Sequence, residues 1–372
     1  MKKKNCSCGK KDKENNERLG IVGGQAVLEG VMMKAGEHTV TTCRREDGTL
    51  TVSAREFVSV RTKHKILNLP IIRGVVNFIE MMALSVKTMG DSADALGLEE
   101  EGEDGRFGKW LKAHLGIGIT DLIMFISVIL GLALSVFLFI FLPTAVADLF
   151  DYIFNGKIGA WRAVIEGVAK IGIFISYLLL VSLMPDIKRT FMYHGAEHKS
   201  IACFEAKDEL TPEAAKKYTR FHPRCGTSFM FFMILIGIFA GFFLRILLPN
   251  LSTLAYTGIK LLILPLVMGL GYEFIRFAGK HDNLFTRVMS KPGLWMQLIT
   301  TKEPTEDMLE VAITSLKCAL RDDYPEFMEF YESKPWAAEE AVGDEQSSSD
   351  TSNEEESAAK SEASSDTDEC EK

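Results

Sequence analysis

Two short motifs contain the residues of this sequence best suited to bind a metal ion. His194, Glu197 and His198 form an H-x-x-E-H motif, and after 23 intervening residues the chain reads His222-Pro-Arg-Cys225-Gly. On a helix, two histidines four residues apart lie one turn apart on the same face, as two ligands of one tetrahedral ion require. The second motif resembles a zinc knuckle with histidine in place of the first cysteine. The sequence therefore predicts a divalent metal, zinc by its donor types, bound by His194, His198, His222 and Cys225.

Glu197 is the predicted catalytic residue of this site. In inverted zincin-type metallopeptidases the glutamate of H-x-x-E-H is the general base of a hydrolytic reaction. Three protein ligands with Glu197 free would leave one coordination position for water, whereas four protein ligands would fill a tetrahedral site and make it structural. Both arrangements fit the sequence. So does a site without metal, in which the histidines are hydrogen-bonded and the basic segment contacts anionic lipid heads.

Long uncharged stretches between residues 117 and 278 predict how these motifs are held. About 20 apolar residues suffice for a helix to cross the hydrocarbon core of a bilayer. Four segments meet this criterion, and the second is the weakest because Glu166 and Lys170 lie in its first turns. The predicted transmembrane helices cover residues 117–142, 163–184, 226–248 and 254–278, with a His/Cys loop at 185–225.

The distribution of lysine and arginine predicts the orientation of these helices. The 185–225 connection carries eight such residues, the 143–162 connection two and the 249–253 connection none. Because short loops rich in lysine and arginine stay in the cytoplasm, the His/Cys loop and both termini are expected there. No cysteine lies in a predicted outer loop, which agrees with a reducing compartment.

The remaining segments differ in composition. Strand-like residues 39–43 and 49–52 flank a turn and predict a β-rich unit, while residues 66–89 show helical periodicity. That helix is expected to be interfacial, re-entrant, or soluble and packed on the β unit. Beyond residue 336 there are 13 acidic residues against two lysines and few large apolar residues, so this tail is expected to be disordered.

The predicted fold is a mainly α-helical polytopic membrane protein with about four transmembrane helices and a small N-terminal β-rich cytoplasmic unit. The predicted division of the chain is a disordered basic N-terminus (1–18), the β-rich unit (19–64), an amphipathic or re-entrant helix (65–91), an acidic linker (92–116), the membrane domain (117–278), a cytoplasmic C-terminal helical segment (279–335) and a disordered acidic tail (336–372).

Several motifs resemble a family of bacterial membrane proteins known as domain of unknown function 1385. The matching stretches are residues 23–33, residues 70–74, Tyr193-His-Gly-Ala-Glu-His-Lys199 and His222-Pro-Arg-Cys-Gly-Thr-Ser-Phe229. The family is described as predicted metal-dependent enzymes, so the resemblance implies a role for the histidine-rich segment and a location in the bacterial plasma (inner) membrane. It also implies that residues 20–90 and the membrane helices form one functional unit.

We therefore expect an integral membrane protein with a zinc-like metal site on the cytoplasmic face. The first expected function of this site is metal-dependent hydrolysis at the membrane surface. The alternative is a non-enzymatic scaffold or membrane-protein biogenesis factor in which the metal is structural. The expected partners are the lipid bilayer and a membrane-protein or translocation-machinery partner, without recognition of a specific nucleic-acid sequence. A transporter ranks third, because the charged residues Asp121, Glu166 and Lys170 lie near the predicted helix ends.

Overall fold

The chain is mainly helical, with one small antiparallel sheet near its N-terminus. The computed structural model describes residues 17–97, 119–159, 161–280 and 284–333. The strands are β1 (Val22–Val27), β2 (Gly30–Ala35), β3 (His38–Arg44) and β4 (Leu50–Glu56). The helices are α1 (Val60–Lys63), α2 (Ile72–Ala95), α3 (Ile119–Val136), α4 (Leu142–Ile153), α5 (Trp161–Val181), α6 (Pro185–Glu205), α7 (Pro212–Ala215), α8 (Gly226–Leu247), α9 (Thr253–Lys280), α10 (Leu284–Thr300), α11 (Glu306–Ala319) and α12 (Pro325–Ser333).

Four helical stretches are long and apolar enough to cross a membrane, which confirms the predicted fold class. At most 17% of the residues in each apolar window are buried inside the protein, so their apolar side chains face outward, as contact with lipid requires. These membrane helices are Ile126–Ile153, Trp161–Val181, Gly226–Leu247 and Ala255–Phe277.

The first membrane helix is longer than predicted. The predicted helix ends at residue 142, and the next residue is Pro143, which lacks the N–H that continues a helix. The helix instead continues to Ile153. Pro143 lies two residues after the π-helical turn Phe137–Phe141, whose wider backbone lets the helix run on past proline.

The sheet lies between helices on both faces, which confirms the predicted β-rich unit. Its strands are ordered β1-β2-β3-β4 and all pairs are antiparallel. Since side chains alternate across a strand, each strand supplies residues to both faces. Helix α2 covers one face, where the buried residues are Val27, Met32, Cys43 and Leu84. Helices α6 and α11 cover the other, where the core includes Val31, Met33, Val40, Tyr193, Ala196, Leu309 and Leu316.

Helix α2 joins the sheet to the membrane helices. Its beginning packs tightly on α9, since a Cβ on Gly74 would lie 2.8 Å from the Tyr272 side chain, and Arg73 forms an ion pair with Glu273. Its later turns lie on the sheet. The helix is continuous from Ile72 to Ala95 and packs on both the sheet and α9.

The segment expected as a His/Cys loop is helical over its first half. Helix α6 begins at Pro185, whose fixed φ suits a first helical position, and Asp186 lies in the same turn. Gly195 lies inside this helix without breaking it. Its missing side chain allows the backbone of Lys302 to approach closely, since a Cβ at Gly195 would lie 2.1 Å from the Lys302 carbonyl oxygen. Three predicted segments lie mostly outside the described residues: the disordered N-terminus, of which only 17–18 are described, the acidic linker, of which only 92–97 are described, and the acidic tail.

Candidate metal centre

Three of the four predicted metal ligands converge at one point. His194 and His198 lie one turn apart on α6, with ring centroids 4.4 Å apart. Cys225 is the N-cap residue of α8, and its Sγ lies 3.2 Å from His194 Nε2. One ligand atom from each of the three residues lies within 4.8 Å of the other two. A single ion could therefore contact all three side chains.

Backbone carbonyl groups orient both histidines of this cluster. His194 Nδ1 lies 2.8 Å from the Thr300 carbonyl oxygen, and His198 Nδ1 lies 2.5 Å from that of Arg220. A carbonyl oxygen can only accept, so each Nδ1 carries the hydrogen and donates it. Each Nε2 is left with a free lone pair, as in metal sites whose histidines donate their other ring N–H to a carbonyl. Two imidazole nitrogens and one thiolate suit a zinc-like ion.

His222, the fourth predicted ligand, lies beside the cluster but has other partners. Its ring centroid is 5.5 Å from that of His198. Its Nε2 lies 3.8 Å from Glu205 Oε2 and 3.4 Å from Arg224 Nη2. Burial lowers the pKa of His222, with Glu205 acting in the opposite direction. The Nε2 of this histidine therefore belongs to a neighbouring polar network rather than to the three-ligand cluster.

Glu197 is buried between α6 and the sheet. Its side chain packs where β1 carries no side chain, since a Cβ on Gly24 would lie 3.0 Å from Glu197 Cγ. Its Oε2 has no hydrogen-bond partner among the residues that the structure describes. Burial raises the pKa of Glu197 to about 7, while the nearby His194 acts to lower it. A carboxyl group with such a pKa can take up and release a proton near neutral pH.

Gln297 of α10 holds the turn that carries Cys225, and sequence reasoning did not identify it. This side chain is fully buried. Its Oε1 accepts from the His222 N–H at 2.8 Å, and its Nε2 donates to the His222 carbonyl at 2.7 Å and to Ser228 Oγ at 3.2 Å. The only sequence signal is one amide within the apolar stretch Leu-Trp-Met-Gln-Leu-Ile.

The segment after α10 closes the other side of the centre. The Lys302 N–H donates to the Phe191 carbonyl at 2.8 Å, which lays this segment along α6. The buried Lys199 donates to Glu303 and to the Lys216 carbonyl. The contacts of Lys302 with Phe191 and of Lys199 with Glu303 join residues more than a hundred positions apart in the chain, which no local sequence pattern reveals.

The cluster lies at one end of two apolar helices. Cys225 directly precedes the membrane helix α8, and α6 begins four residues after α5 ends at Val181. The fold and the site thus define a class: a helical protein with four membrane-length helices and a His/Cys cluster at the end of two of them.

Comparison with known proteins gives the family. The sequence pattern of the family described as protein of unknown function DUF1385 matches residues 69–322, and the chain belongs to that family. The uncharacterized protein YqhQ of Bacillus subtilis (strain 168) is 34% identical over 305 residues, which cover 80% of this chain and 92% of that protein. No solved structure matches the chain. The family match includes every residue of the cluster, while the four strands lie before it.

Proposed function

We propose that this protein is a metal-dependent hydrolase that acts at the cytoplasmic surface of the membrane. His194, His198 and Cys225 would hold the metal, zinc by its donor set, and Glu197 would be the general base. The observation that carries the proposal is the convergence of three ligand atoms, from His194, His198 and Cys225, within 4.8 Å of one another. Catalytic zinc sites hold three protein ligands and keep one position open, whereas structural sites are closed by four.

The residues around the cluster support this chemistry. The Lewis acidity of a bound divalent metal would supply the activation of water and of the bond to be cleaved. The Thr300 and Arg220 carbonyls fix the ring orientation of His194 and His198 before any ion binds, so little reordering is needed. Glu197 is buried, and its Oε2 has no hydrogen-bond partner among the described residues, so it would accept the proton of the attacking water.

The position of Cys225 supports a reaction at the membrane surface. As the N-cap of a helix long enough to cross a membrane, this residue would lie where the hydrocarbon core meets the headgroups. The basic residues of the connection between residues 185 and 225 favour a cytoplasmic location for this end of the helix. The scissile bond would therefore belong to a molecule presented at the cytoplasmic leaflet.

A second candidate function is a membrane scaffold or biogenesis factor in which the metal is structural. The observation that favours it is the closeness of His222, whose ring centroid lies 5.5 Å from that of His198. Rotation of this ring away from Glu205 would supply a fourth ligand and close the site. In that case the loaded site would stabilise the turn at Cys225, and the function would depend on a membrane-protein partner.

Metal content and three variants separate these functions. The hydrolase predicts equimolar zinc in the wild type, in His222→Ala and in Glu197→Gln. Only Glu197→Gln should fail to complement a deletion strain, with the exposed Glu213→Gln as the matched control. Protein without metal after mild purification would refute both functions. Full complementation by Glu197→Gln would refute the hydrolase, and loss of zinc from His222→Ala would favour the structural site.

A further inference from the structure

Helix α10 has apolar residues on both of its sides. Met296, Gln297 and Thr300 are buried on the inner side. The outer side is a broad apolar stripe, interrupted by the long Lys291, whose stem can extend along it while the amine reaches water. The exposed apolar residues of the stripe are Leu284 (79%), Phe285 (58%), Val288 (51%), Trp295 (63%) and Leu298 (52%).

The inner side of α10 packs against the membrane helices well inside their apolar length. Met296 is buried with Phe174 and Leu178 of α5, and Ile234 of α8 packs on the same cluster. Phe174 lies seven residues before the end of α5, which is roughly 10 Å along the helix at 1.5 Å per residue. Helix α10, expected from the sequence in a cytoplasmic segment, thus lies beside the hydrocarbon-spanning part of its neighbours.

Helix α2 has the same relation to α9. The backbone of Ile71 approaches Gly269 so closely that a Cβ there would lie 2.6 Å from the Ile71 carbonyl oxygen. Gly269 lies eight residues before the end of the apolar stretch at Phe277, roughly 12 Å along α9. Opposite the face that packs on the sheet, α2 carries a second exposed apolar stripe, formed by Ile79 (59%), Met82 (49%), Val86 (76%) and Met89 (40%).

We propose that α2 and α10 are embedded in the cytoplasmic leaflet and that their exposed stripes contact lipid acyl chains. Three observations favour lipid as the occupant. Both helices pack on membrane-length helices whose own apolar residues are mostly not buried inside the protein. Their large exposed side chains would form costly patches in water. Basic residues that suit anionic headgroups precede α2, namely Arg61, Lys63 and Lys65.

This embedding would link the lipid phase directly to the metal centre. Trp295 and Leu298 face outward from α10, while Gln297 binds the turn of Cys225 and the Thr300 carbonyl accepts from His194. The substrate of the site would then be an amphiphile that reaches it from within the leaflet. That last step rests on the proposed function, whereas the lipid contact itself does not.

Quenching of tryptophan fluorescence by acyl-chain-brominated phosphatidylcholine tests the contact. The chain has four tryptophans, and Phe in place of Trp110, Trp161 and Trp336 leaves Trp295 as the single reporter of α10. In bilayers of the brominated lipid, Trp295 should lose most of the emission that it shows in unbrominated lipid. Because Trp295 is native, this measurement needs no substitution within α10.

Two further variants, both with Trp295→Phe, complete the test. Val86→Trp reports on α2 and should also be quenched, whereas Glu310→Trp, exposed on α11, should keep its emission. Quenching of Trp295 or Val86→Trp no greater than that of Glu310→Trp would overturn the proposal for that helix and indicate water or a protein partner. Metal-free and zinc-loaded protein should give the same result, so the outcome is independent of whether the hydrolase proposal holds.

Discussion

Replacing Gln297 with leucine should weaken metal binding, although Gln297 is not a metal ligand. Leucine is similar in size and apolar, but it removes the donor and the acceptor that pair with the His222 backbone. The His222 N–H would be left buried without this partner. The turn from His222 to Cys225 would loosen, and with it the position of the Cys225 thiol relative to His194 and His198.

The size of the effect follows from the groups left unpaired. An unsatisfied buried polar group costs about 1–3 kcal/mol. The His222 carbonyl keeps a long contact with the Cys225 N–H at 3.4 Å, so the N–H bears most of the penalty. If about 1.4–2.8 kcal/mol is expressed in metal affinity, binding weakens roughly 10- to 100-fold. In other metalloproteins, removing a side chain that orients a metal ligand weakens metal binding by about this factor.

Competition with a chromogenic zinc chelator, on detergent-solubilised protein, measures this affinity. The matched control is Gln25→Leu. It removes the hydrogen bonds of Gln25 with Thr88 and Ser85, which join β1 to α2 on the far face of the sheet. We expect the control to lower thermal stability while zinc affinity stays unchanged. Equal zinc affinities for Gln297→Leu and the wild type, or an equal loss in the control, would refute the role given to Gln297.

Two other predictions concern the packing of Glu197 and the reactivity of the cysteines. Gly24→Ala should destabilise the fold by about 1–3 kcal/mol through overpacking, since its Cβ would lie 2.7 Å from a backbone oxygen and 3.0 Å from Glu197 Cγ. The adjacent Gly23→Ala meets nothing within 4 Å and should melt like the wild type; equal melting temperatures for both variants would contradict this packing. Burial raises the pKa of Cys318 to about 12, so iodoacetamide at pH 8 should leave it unmodified with or without zinc. Cys225 should be alkylated only after chelation, and mass spectrometry that finds it equally modified in zinc-loaded protein would argue against its role as a ligand.

The most local features were also the most predictable ones. A run of about 20 apolar residues is sufficient to define a membrane helix, because the length of the hydrocarbon core sets the requirement. The first membrane helix shows the limit of this reasoning. Proline at position 143 ordinarily ends a helix, yet the preceding π-helical turn lets it continue to Ile153. The local rule that proline ends a helix failed there, because the π-helical turn accommodates the proline ring and its missing N–H.

The candidate site divides in the same way. The sequence by itself determined the four apolar helices, the one-turn spacing of His194 and His198, and the nearness of Cys225 to a membrane helix, because all three depend on neighbours in the chain. Only the tertiary structure decided that the His222 ring lies near Glu205 and Arg224 and that Gln297 of α10 binds the His222 backbone. The carbonyls that orient the two histidines are backbone groups. Because every residue carries a carbonyl, no pattern of side chains predicts which ones will do so. Ligand spacing is therefore local information, whereas the groups that aim the ligands come from packing between distant segments.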